Sequence, residues 1–116
     1  MVIVAVDDLM FASRIASTAK ALGVAIAFAR SPEAIVEAVR TRAPQLVIFD
    51  LNSVKVRPLE AVAALQADAA LAAVPTVGFV SHVQAELIAA ARAAGVGRVL
   101  ARSAFVTELP QLLQGS

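Results

Sequence analysis

The aspartates of this chain are few and unevenly placed. Asp7 and Asp8 follow directly on the apolar run Val2 to Val6, Asp50 follows the run Leu46 to Phe49, and Asp68 stands apart. Carboxylates gathered at the ends of two neighbouring strands would repel one another unless a proton or a cation joined them. Mg²⁺ is the natural guest of such a group, because it takes one or two carboxylates and keeps several waters. Ser81 follows the run Thr76 to Val80, and Arg102 follows the run Val96 to Ala101. A hydroxyl and a guanidinium in that position suit the oxygens of a phosphoryl group. Taken singly, each residue has an ordinary reading as turn former, helix cap or solvated strand end. Their common placement after apolar runs is what points to a site.

The elements that must position these residues are legible as alternation. The apolar runs are Val2 to Val6, Val24 to Phe28, Leu46 to Phe49, Thr76 to Val80 and Val96 to Ala101. Four are nearly continuous in apolar residues, the pattern of strands covered on both faces of a parallel sheet. The fifth carries Arg98 and reads as an edge strand. Segments with helical spacing lie between them. Phe11, Ile15, Ala19 and Leu22 mark one apolar face ahead of Gly23. Ser31 and Pro32 open a second helix, which should end before Pro44. A third runs from near Pro58 to about Ala69, a fourth from Gln84 to Ala94 ahead of Gly95. The last is expected to be short, near Thr107 to Gln114, with Pro110 in its first turn. Strand and helix repeated five times predict a single α/β domain over residues 1–116, a (βα)5 three-layer sandwich of the flavodoxin-like class with strand order 2-1-3-4-5. In that order the first and third strands are neighbours, and the crevice at their C-terminal ends receives Asp7, Asp8 and Asp50.

Composition removes several classes of function. With 116 residues there is one core, and it needs no staple. There is no Cys, so disulfides and thiolate metal sites are excluded, and a reducing, cytoplasmic home is expected. A single histidine, His82, makes a poor metal site without cysteine partners. Although 59% of residues are hydrophobic, much of this is alanine, and polar residues interrupt every apolar stretch before a spanning length. No basic leader segment precedes Val2, so no signal peptide is expected. The net charge is +1, the basic residues are scattered, and there is no Trp or Tyr, which leaves nucleic-acid binding without support. The turn after the first strand has no glycine, so it cannot form a Gly-rich phosphate cradle.

Over almost its whole length the chain resembles the receiver domain of bacterial two-component response regulators. The resemblance is carried by Val2 to Asp8, Gln45 to Leu51, Val74 to Ser81 and Ala93 to Arg102. It implies a stand-alone signalling domain, not an enzyme beyond the making and losing of its own acyl phosphate. Asp50 would accept a phosphoryl group from a histidine kinase or phosphotransfer protein and pass a signal to a downstream protein. Mg²⁺ would be held by Asp7, Asp8, Asp50 and the backbone carbonyl of Asn52. Ser81 and Arg102 would bind the phosphoryl group, and Arg14 stands where the family often carries arginine.

The chain also departs from the family pattern. Arg102 stands in place of lysine, Ser103 in place of proline, the bulky His82 in place of a small residue, and Val99 in place of an aromatic one. The segment Leu51 to Pro58 lacks the usual proline and Asp-Gly turn. These departures favour an alternative, a receiver-like module that binds its partner without phosphate. The short last helix, with Glu108 the only acidic residue after Glu86, predicts a monomer or weak dimer. Leu9 and Met10, beside the acidic pair, are candidates for the partner's docking point.

Overall fold

The computed structural model describes residues 1–81 and 84–115, so His82 lies outside the described residues. Strands and helices alternate as β1 (Val2–Ala5), α1 (Leu9–Leu22), β2 (Ile26–Phe28), α2 (Pro32–Arg42), β3 (Leu46–Asp50), α3 (Pro58–Ala67), β4 (Thr76–Val80), α4 (Ala85–Ala94), β5 (Arg98–Ala101) and α5 (Arg102–Gln114). The sheet is wholly parallel in the order β2-β1-β3-β4-β5. Every residue of β1, β3 and β4 is buried, whereas the edge strands β2 and β5 are partly exposed. Burial on both faces accounts for the apolar runs of the three central strands, whereas β2 reads as apolar yet is a partly exposed edge.

Alternate side chains feed two cores. Ile3, Ala5, Val47 and Phe49 enter one with α2, α3 and α4, while Val2, Val4, Leu46 and Ile48 enter the other with α1 and α5. No helix among the described residues is long and apolar enough to cross a membrane. In the second core Phe11, Phe79 and Phe105 form a cluster, with ring centroids 4.6, 5.6 and 4.7 Å apart. One ring comes from α1, one from β4 and one from α5. The cluster therefore ties both helices to the central sheet directly beneath the ends of β4 and β5.

Several boundaries differ from the sequence reading. β2 begins at Ile26 and not Val24, because the Val24 N–H is still closing α1 by donating to Ala19 O (2.9 Å). β5 begins at Arg98 and not Val96, for the same reason at the end of α4, where the Val96 N–H donates to Ala91 O (3.1 Å). α3 stops at Ala67, and the Asp68 side chain turns the chain by accepting from the Ala70 N–H (2.9 Å). The largest correction concerns α5. It starts directly after β5 and has 13 residues, with Pro110 inside it and not in its first turn.

Proline in a helix interior costs roughly 3 kcal/mol. Phe105, Leu109, Leu112 and Leu113 are all buried on α5, at roughly 1.5–3 kcal/mol each, which outweighs that cost. A short last helix therefore gives no ground for expecting a monomer.

Gly78 in β4 is required by a neighbour of the candidate site. A Cβ there would lie 2.7 Å from Cγ of Leu51, a buried side chain that folds over the strand just after Asp50. Gly78→Ala should cost about 1–3 kcal/mol through overpacking. Leu51→Ala should cost about 2–5 kcal/mol through a cavity. The double variant should cost clearly less than the sum, because each change relieves the other, and urea unfolding of the four proteins measures the coupling.

Candidate functional site

The C-terminal ends of β1, β3, β4 and β5 carry the charged and hydroxyl residues singled out in the sequence. Asp50 is the last residue of β3, paired in register with Phe79 of β4, and the residue is only 8% exposed. The N–H of Asn52 donates to Asp50 Oδ1 (3.0 Å) and so fixes the carboxylate's rotation. Burial raises its pKa, the Asn52 N–H works against that shift, and the neighbouring Asp7 charge adds to it.

Asp7 and Asp8 follow β1 but have separate attachments. Asp7 Oδ1 accepts from the Ser53 hydroxyl (3.1 Å), and Ser53 Oγ in turn accepts from the Val56 N–H (3.1 Å). Asp8 is the N-cap of α1. Its Oδ1 accepts from the Phe11 N–H (3.1 Å), and its Oδ2 accepts from Arg102 Nη2 (3.2 Å). The Phe11 N–H above all holds the Asp8 carboxyl below the usual aspartate range, with desolvation opposing it and Arg102 adding to it. Both members of the Arg102 pair are more than a third exposed, so it contributes on the order of 0–1 kcal/mol. The Arg102 guanidinium also lies 4.3 Å from the centre of the Phe11 ring.

Ser81 and Arg102 line one open cleft of about 940 Å³, together with Asp8, Arg14, Phe11 and Ser103. The Ser81 N–H donates to Asn52 Oδ1 (2.7 Å), and Asn52 Nδ2 donates to Gln84 Oε1 (2.7 Å). The Asn52 side chain thus fastens the loop after β3 to the chain after β4. The sequence reading singled out Asn52 for its carbonyl and missed this role of its amide. It also missed Ser53, since a serine in a loop carries no pattern of its own. Arg30 was not singled out either. It donates from Nε to Val6 O (3.1 Å) and lies 4.7 Å from the centre of the Phe28 ring.

The donors suit a divalent cation in kind, being hard carboxylate and carbonyl oxygens. Among the described residues, however, no three Asp, Glu, His or Cys side chains converge as a ready metal cluster. In the arrangement seen, a guanidinium supplies the positive charge at Asp8.

No family model matches the chain, and no curated protein does. Solved structures do. A response regulator from Hahella chejuensis is 18% identical with a TM-score of 0.84, covering 97% of this chain and 91% of its own. The phosphorylated cyanobacterial phytochrome response regulator RcpA is 20% identical with a TM-score of 0.76, covering 98% and 88%. The Mn²⁺-bound response regulator Rcp1 is 18% identical with a TM-score of 0.76, again covering 98% and 88%. At these identities the likeness establishes the fold: five parallel strands and five helices in the arrangement of response-regulator receiver domains.

Burying the Asp50 carboxylate has a thermodynamic consequence. Its pKa is raised above the ordinary 3.8, so the folded chain holds the proton to higher pH than the unfolded chain does. Between 3.8 and the raised value, stability therefore falls as pH rises. Asp50→Asn should unfold at a higher temperature than wild type at neutral pH, and the gap should close as pH falls below the ordinary aspartate value. Thermal unfolding across a pH series measures it. An equal gap at every pH would show that ionisation is not its source.

Proposed function

We propose that this chain is a receiver-type signalling domain that takes a phosphoryl group onto Asp50 from the phosphohistidine of a histidine kinase or phosphotransfer protein. One observation carries the reading: a nearly buried carboxylate ends the central strand of a receiver fold, with Asp7 and Asp8 after one neighbouring strand and Ser81 and Arg102 after the strands on its other side.

The chemistry follows from how Asp50 is held. Oδ1 accepts the Asn52 N–H, which leaves Oδ2 as the attacking atom. The oxygen–phosphorus bond forms as the nitrogen–phosphorus bond of the donor breaks, and the electron pair leaves with the imidazole nitrogen. The product is an acyl phosphate on Asp50. Ser81 and Arg102 would offer the incoming phosphoryl oxygens a hydroxyl and a guanidinium. Asp7, Asp8, Asp50 and the Asn52 carbonyl would hold Mg²⁺, which when bound neutralises charge on the transferred group. The phosphoryl group in turn would shift the population of surface states read by a downstream protein.

For the donor's approach, Leu9 and Met10 follow the acidic pair and Val54 lies in the loop after β3, exposed at 79, 86 and 90%. Exposed apolar side chains near a charged site suit the approach of a partner protein.

A second reading has its own observation. Arg102 already neutralises Asp8, and a domain balanced in this way can serve as an interaction module that ignores phosphate.

Intact-mass analysis after incubation with acetyl phosphate and Mg²⁺ separates the two. The acceptor reading expects one added phosphoryl mass on wild type and none on Asp50→Asn. If wild type gains no mass, and beryllofluoride leaves its amide spectrum unchanged, the phosphate-independent module is the correct reading.

A further inference from the structure

The open cleft of about 940 Å³ takes its lining mainly from α1 and α5, and neither Asp7 nor Asp50 is part of it. Its volume is that of a small-molecule site. Two guanidiniums, Arg14 and Arg102, stand there against one carboxylate, Asp8. Arg102 donates one N–H to Asp8 Oδ2 (3.2 Å) and lies 4.3 Å from the centre of the Phe11 ring. These contacts steady its planar fork and leave further N–H groups for a ligand. Arg14 enters no ion pair among the described residues, so its charge gives the cleft a positive balance. Ser81 is held through its N–H by Asn52, and Ser103 through its carbonyl by Thr107, bonds that leave both hydroxyls unused. Met10, Val80 and Val106 add apolar surface beside these donors.

We propose that the cleft between α1 and α5 binds a small phosphate ester with an apolar body. A carboxylate has two oxygens and is matched by a single guanidinium fork. A phosphate ester has three terminal oxygens, which can take donors from both walls, Arg14 on α1 and Arg102 with Ser103 on α5. Its apolar body then covers Met10 and Val106, at the outer ends of the same two walls. Asp8 orients Arg102 and does not meet the ligand, since like charges would repel. Restraint of Arg102 before binding lowers the ordering cost of the complex. Ser81 and Arg102 also enter the acceptor reading, whereas Arg14 and Ser103 have no part in that chemistry. The inference therefore stands apart from phosphorylation of Asp50, and Arg14 and Ser103 are the positions that test it.

The test titrates phenyl phosphate, which is not a phosphoryl donor to carboxylates, into the unphosphorylated chain without divalent metal, with amide spectra as the readout. Saturable shifts are expected at Met10, Arg14, Ser103 and Val106. Arg14→Gln should bind about three- to tenfold more weakly, the loss of one partly solvated charge-assisted contact. Arg14→Lys keeps the charge and loses the fork, so it should fall between wild type and Arg14→Gln. Ser103→Ala should weaken binding by about twofold or more through one lost hydrogen bond. Inorganic phosphate, which lacks the apolar body, should bind at least about threefold more weakly than phenyl phosphate. Asp50→Asn should still bind. Shifts that do not saturate, equal affinity in wild type and Arg14→Gln, inorganic phosphate binding as tightly as the ester, or loss of binding in Asp50→Asn would each overturn the proposal. A chain that binds the ester here but gains no mass from acetyl phosphate would keep this inference and lose only the acceptor role.

Discussion

An aspartate that is only 8% exposed ends the central strand, and the surrounding chain answers the cost of keeping it there. Desolvation favours the neutral form of Asp50, and the charges of Asp7 and Asp8 push in the same direction. Two things oppose them, the Asn52 N–H and the guanidinium of Arg102. The same few atoms therefore fix the loop after β3, through the backbone of Asn52, and the start of α5, through Arg102. A parallel sheet forces this convergence. Its strands all deliver their C-terminal ends to one edge, and side chains that follow adjacent strands meet there.

The second support lies beneath the charges. Phe11, Phe79 and Phe105 join α1, β4 and α5 below the cleft, and Phe11 also presents its face to Arg102. A charge placed at the crevice is thus one contact away from a packed aromatic cluster that spans two helices. Asn52 makes a separate link on the other side, from the loop after β3 to the Ser81 N–H and Gln84. Together these give the crevice two mechanical outlets, one toward α5 and one toward the start of α4. Close-packed contacts of this kind switch between discrete arrangements and do not deform gradually.

The fold was legible because its strongest signals are long and redundant. Unbroken apolar runs identified β1, β3 and β4, and caps such as Ser31 with Pro32, or Gly23, marked helix ends. What the sequence hid was decided by contacts between distant residues. Pro110 read as a barrier to α5, yet Leu109, Leu112 and Leu113 around it are buried and hold the helix through it. The aspartates stood out by residue type and by position after apolar runs. Their partners did not, since Ser53 meets Asp7 across 46 positions of chain and Arg102 meets Asp8 across 94. Residue type shows which groups could do chemistry, but the pairing that sets their charge balance is a property of the folded edge.

The loop from Leu51 to Arg57 shows how far that pairing can replace a missing motif. It lacks the proline and Asp-Gly turn expected from the resemblance, and it holds its shape by other means. Leu51 fills the space left by Gly78, the Ser53 hydroxyl joins Val56 N–H to Asp7, and Asn52 reaches the chain after β4. The last residue before α3, Arg57, adopts φ of 50°, a left-handed conformation that costs a residue with a Cβ roughly 1–2 kcal/mol. Its guanidinium reaches Glu60 at 3.0 Å and Glu33 at 3.6 Å, exposed pairs that recover only part of that cost. Strain of this kind persists only where the surroundings over-determine the backbone. Here the surroundings are the two anchors of the loop, Leu51 in the core and Ser53 at Asp7. The position of Asp7 and the conformation of Arg57 thus belong to one loop, anchored at Ser53 on one side and ending at α3 on the other.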